Sequence, residues 1–264
     1  MFIEILFGFF ISLGAGIIGS MVGIGGGIVI SPFLSYFNYL PSQIASTSLM
    51  SVLSTSLSSS FIYYKKKLVS NKIGLILSVS SIPGTYFGVL VSKLFSVSEF
   101  KIYFAFILIG TSFYLVFKSR LKKDSLLIST FDTNTDKSNL FHFRFYLIVI
   151  SSFFAGVLSS SFGIGGGIIY VPSLIILLGF NMNQAAATSQ FILLFTSLSG
   201  LIIYIYYGYP DYSMGFILLI GSLLGGIIGS KMSPKISSNI LQNIFSIILI
   251  VVSIKLLYDG FVLI

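Results

Sequence analysis

Two copies of the string Gly-Ile-Gly-Gly-Gly-Ile stand 140 residues apart, at 23–28 and 163–168. Their chemistry is that of the backbone. Glycine has no Cβ and tolerates left-handed angles, and a run of it inside a helix costs up to about 1 kcal/mol per residue relative to alanine. That cost makes sense where a helix must stop. A helix restarting after such a break exposes its first amides and carries about half a positive charge at that end. It is an anion site that needs no cationic side chain. Gly23, Gly25, Gly26 and Gly27, with Gly163, Gly165, Gly166 and Gly167, are the candidate residues. The hydroxyl-rich stretches 46–60 and 187–199 follow each cluster. There Thr47, Ser48, Thr188, Ser189 and Gln190 could donate hydrogen bonds to an oxyanion. In the competing reading, serine and threonine satisfy their own helix carbonyls or link helices, and the glycines let helices approach. Gly84/Gly88 and Gly221/Gly225/Gly229, spaced by four, fit that packing role. The two dense clusters fit a break.

Other chemistries lack their parts. There is no GxxxxGK[ST], and the glycine strings do not match G-x-G-x-x-G. With no cysteine, there is no disulfide and no thiolate for metal or catalysis. Glu4, Glu99, Asp211 and Asp259 fall at the ends of apolar blocks, and the lone His142 falls in a polar segment. No carboxylate or imidazole stands within a span to activate a serine, bind a metal or relay a proton. The expectation is therefore a non-enzyme without cofactor or metal.

These residues must be positioned by membrane helices. Of 264 residues, 55% are hydrophobic and 8% charged, against roughly 25% charged in a soluble domain. Residues 5–64 and 145–210 contain no Asp, Glu, Lys, Arg or His, and a span needs only ~20 apolar residues. The apolar blocks do not alternate with polar residues as barrel strands do. An all-α polytopic membrane protein follows, embedded in a lipid bilayer. The net charge of +8 sits mostly in short connections, where the positive-inside bias places it, and does not mark a nucleic-acid partner.

Apolar blocks at 2–37, 41–63, 73–92 and 102–117 are followed, after a polar segment, by blocks at 145–179, 184–207, 213–230 and 238–258. The first of each set is too long for one straight span, so helix 5–22 is predicted to end at the glycines and a shorter helix, 28–37, to follow. The chain thus divides into repeat 1–117, linker 118–144 and repeat 145–264, with four to five helices per half. Pro32 and Pro172 keep the 140-residue spacing, and Thr47-Ser48 and Thr188-Ser189 follow at 141. Internal duplication is a hallmark of secondary transporters, whose site lies where the repeats meet. Parallel and inverted halves both accommodate the lysine distribution; paired broken helices favour the inverted arrangement.

The string "GAGIIGSMVGIGGGIVISPFLSYF" followed by "ASTS", its second copy "AGVLSSSFGIGGGIIYVPSLIILLGFNMNQAAATS" and the closing "KLLYDG" resemble the sulfite exporter TauE/SafE family of permeases. The resemblance implies a multi-pass permease of the plasma membrane for small anions such as sulfite and organosulfonates. It places the family pattern on Gly23, Gly25, Gly26, Gly27, Pro32, Thr47 and Ser48, and on Gly163, Gly165, Gly166, Gly167, Pro172, Thr188 and Ser189. A permease for a small carboxylate and a non-transporting membrane scaffold are the alternatives.

Overall fold

The computed structural model describes residues 2–37, 39–121, 137–233 and 238–262. Among these the chain is helical with no strand. The first five helices are α1 (Phe2–Val22), α2 (Gly27–Leu34), α3 (Pro41–Lys65), α4 (Asn71–Ser92) and α5 (Val97–Leu121). The second five are α6 (Lys137–Phe162), α7 (Gly167–Leu178), α8 (Met182–Tyr206), α9 (Tyr212–Met232) and α10 (Ser238–Val262). Both ends of the segment 118–144, read as a linker, are helical. α5 continues to Leu121 and α6 starts at Lys137; residues 122–136 lie outside the described residues.

Four stretches, Ile5–Val22 of α1 and the helices α4, α8 and α9, are long and apolar enough to cross a membrane. α3 has the length of a span, at 25 residues, but its serines and threonines lower its hydropathy. They can be carried because they face protein: Ser48, Ser51, Thr55, Ser56 and Ser59 are all fully buried. α3 packs between α8 and α9, so its backbone and most of its hydroxyls find partners that lipid would not supply.

Small residues set the closest packing. α1 runs along α9, where a Cβ on Gly221, Gly225 or Gly229 would strike the backbone of Phe9, Leu13 or Ile17. α4 runs along α6, where a Cβ on Gly84 or Gly88 would strike the carbonyl of Phe153 or Val157. The packing role assigned to these glycines is what the helices show. The pairings also correspond. α1 on α9 is matched by α6 on α4, and α3 on α9 by α8 on α4, while α5 meets α10 and α3 meets α8.

Candidate functional site

Both predicted breaks are present. α1 stops at Val22 and α2 starts at Gly27; α6 stops at Phe162 and α7 starts at Gly167. Gly23 (φ 84°), Gly25 (φ 81°), Gly163 (φ 70°), Gly165 (φ 95°) and Gly166 (φ 77°) are left-handed, a region that L side chains avoid. Each new helix starts from the same carbonyl. Val29 and Ile30 donate to Gly26 O at 3.2 and 3.3 Å, and Ile169 and Tyr170 to Gly166 O at 3.0 and 3.2 Å. The amides one or two places earlier, on Gly27, Ile28, Gly167 and Ile168, have no acceptor within their helices.

The two turns are buried and meet one another. A Cβ on Gly27 would land on the Gly163 carbonyl, and one on Gly167 would meet Ile24 and the Gly23 carbonyl. A Cβ on Gly23 would meet Ala186 of α8, and one on Gly163 would meet Ala45 of α3. Each turn is thus wedged against the long helix of the opposite half. Pro32 and Pro172 sit in the bodies of α2 and α7, beyond the turns. Proline lacks an amide donor, so each frees a carbonyl four residues back.

The mirrored Thr-Ser pairs hold this contact together. Ser48 Oγ donates to Gly163 O at 2.8 Å, and Ser189 Oγ donates to Gly23 O at 2.6 Å. Their neighbours act as acceptors. Thr47 Oγ1 accepts from the Asp211 amide and Thr188 Oγ1 from the Ser70 amide, both at 3.1 Å. These threonines therefore tie the ends of α3 and α8 to the starts of α9 and α4. Gln190 Nε2 donates to Gly19 O at 2.8 Å, and its Oε1 accepts from Ser59 Oγ at 3.1 Å.

A second mirrored pair of bonds, each within one half, joins α3 to α1 and α8 to α6 and was not predicted from the sequence. Tyr63 OH donates to Ser20 O at 2.8 Å, and Tyr204 OH donates to Ser160 O at 2.6 Å. The signal was present, because Tyr63 and Tyr204 keep the 141-residue spacing of the Thr-Ser pairs. Four buried serines, Ser56 and Ser60 on α3 with Ser159 and Ser160 on α6, have hydroxyls without a partner. Among the described residues no cluster of His, Cys, Asp or Glu could hold a metal ion.

The glycine turns, the Thr-Ser pairs and the apolar spans occur together over nearly the whole chain. The model of the family described as Sulfite exporter TauE/SafE matches residues 8–256. The chain belongs to that family. This TauE/SafE-family protein is 33% identical to the probable membrane transporter protein YunE of Bacillus subtilis, over 93% of this chain and 94% of the relative. It is 24% identical to the probable membrane transporter protein YfcA of Escherichia coli, over 96% and 89% respectively. No solved structure matches it significantly. It is a multi-pass membrane transporter, and its family is one of transporters, not an enzyme class.

Proposed function

We propose that this transporter carries small anions of the sulfite or organosulfonate type by alternating access between two inverted repeats, 1–117 and 145–264. One observation carries the reading: the N-terminal ends of α2 and α7 are buried against each other's glycine turn. Their first amides and dipoles favour negative charge without a formal cation, at a place where irregular backbone is tolerated only against protein or a watery cavity. The corresponding helix pairings and the hydrogen bonds that recur at 140- and 141-residue spacing support the repeats. Domain 118–144 is the linker between them.

On this reading the contact of Gly27 with Gly163, and of Gly167 with Gly23, parts to admit the anion. The Ser48 and Ser189 hydroxyls turn from glycine carbonyls to the substrate. Thr47, Thr188 and Gln190 hold the surrounding helix ends, and Pro32 and Pro172 loosen α2 and α7. Ser56, Ser60, Ser159 and Ser160 offer further donors; a buried hydroxyl without a partner is uncommon and calls for one. The site lacks a carboxylate or imidazole, so movement follows the electrochemical gradient or the substrate's own proton. In a plasma membrane with negative interior, anion export gains about 2.3 kcal/mol per charge per 100 mV.

Flux assays in proteoliposomes test this. Wild type is expected to move sulfite, and Gly26→Leu and Gly166→Leu to move much less per folded molecule, with the folded fraction measured by thermal melting. Flux of acetate without sulfite would shift the substrate class to carboxylates. Absence of flux for every anion would leave the scaffold reading standing.

A further inference from the structure

Away from the glycine turns, a cavity of about 570 Å3 opens where the segment after α2 meets the start of α5. Tyr36, Tyr39, Ser96, Val97, Ser98 and Lys101 share its wall. Lys101 is only 8% exposed and is the one charged side chain among the buried described residues. No described residue gives it a hydrogen bond, an ion pair or a ring contact. Its stem packs near Gly260 of α10. An ammonium held this way is unfavourable unless something negative visits it.

The start of α5 adds a second source of positive potential. Val97 and Ser98 are its first two residues, so their amides have no acceptor within the helix and lie at the positive end of its dipole. Ser96 caps the turn. Its amide and hydroxyl both donate to Glu99 Oε2 at 2.8 Å, and its Oγ accepts from the Glu99 amide at 3.3 Å. The Ser96 amide, then its hydroxyl, hold the exposed Glu99 carboxyl below its usual range. The other charged groups nearby act on the two tyrosines of the cavity wall. Asp211 accepts from Tyr39 OH. Lys255 Nζ lies 4.4 Å over the Tyr36 ring, and Asp259 acts on the Tyr36 hydroxyl.

We propose that this cavity is a binding site for a small oxyanion, held by the Lys101 ammonium and the first amides of α5. It lies at the end of α3 opposite Lys65, Lys66 and Lys67, so the positive-inside bias puts it on the extracytoplasmic side. There it holds an anion at the outer face of the protein. The binding rests on the cavity alone; only its consequence for flux rests on the permease reading.

Titration calorimetry of the detergent-solubilised protein with sulfite, methanesulfonate and phosphate tests the site. At least one of the three is expected to bind saturably. Lys101→Gln should weaken that binding about tenfold or more, the scale of a lost charge-assisted hydrogen bond, and Lys101→Arg should largely restore it. Removing an uncompensated buried charge should raise the melting temperature of the anion-free protein, which confirms that the Gln variant is folded. Wild-type affinity in Lys101→Gln, or no binding of any of the three by wild type, would overturn the proposal. So would Lys101-dependent binding of phosphatidylglycerol in nanodiscs without binding of the free anions. Sulfite flux is measured in parallel. Flux without Lys101-dependent binding removes this site alone, and binding without flux removes the permease reading alone.

Discussion

At the first glycine turn the amides of Gly23, Ile24 and Gly25 all point to the Gly19 carbonyl, at 3.0, 3.0 and 3.2 Å, and Gln190 adds a fourth donor. At the second turn the residue matching Gly19 is Ser159, whose hydroxyl has no partner. The residue matching Gln190 in the first half is Leu49. Gly166 is left-handed while its counterpart Gly26, at φ −78°, is not. The serine bonds that cross between the halves are the same, but the inputs around them differ. A common backbone device is held by more hydrogen bonds at the first turn than at the second.

The largest test of the shared part is Gly27→Ala beside Gly167→Ala. Both place a methyl into opposing backbone, and each should cost ~3 kcal/mol or prevent folding; thermal melting should rank them together. A large gap between the two would break the equivalence of the turns. The next test sharpens the difference. Gly166→Ala forces a side chain into a left-handed residue 2.7 Å from the Ala155 carbonyl, at about 1–2 kcal/mol for the backbone alone. Gly26→Ala meets nothing nearer than 3.5 Å and should be neutral or stabilising by up to about 1 kcal/mol.

Ser48→Ala and Ser189→Ala should each cost about 1–3 kcal/mol, because each leaves a buried glycine carbonyl without its donor. Similar values in denaturation experiments are expected. The smallest effect is that of Gln190→Leu, which copies Leu49 into the second half. Gly19 O keeps its three amides and Ser59 Oγ keeps the Thr55 carbonyl at 2.7 Å, so the loss should stay near ~1 kcal/mol. A loss as large as that of Ser189→Ala would mean that Gln190 carries the contact and the reciprocal serines do not.

Much of this arrangement was legible in the chain. Glycine density stops a helix for local reasons, so the breaks at 23–26 and 163–166 followed from conformational cost alone. The glycines of α4 and α9, spaced by four, likewise declared their packing role. The partners of Ser48, Ser189 and Gln190 were not legible. Their acceptors lie 115 to 171 residues away and depend on how α3 and α8 register against the opposite half. Lys101 escaped because the apolar block was drawn from 102, one residue past it. Its burial comes from the cavity wall and α10, which local hydropathy does not report.

The paired helix starts are best tested by locating the anion itself. Selenite is a heavier oxyanion of sulfite shape, and its anomalous scattering marks its position in crystals. A peak is expected within hydrogen-bonding distance of the Gly27–Ile28 and Gly167–Ile168 amides, with the two glycine turns drawn apart. Selenite seated elsewhere in a transport-competent protein, with Gly27 and Gly167 still in contact with the opposing turns, would contradict it.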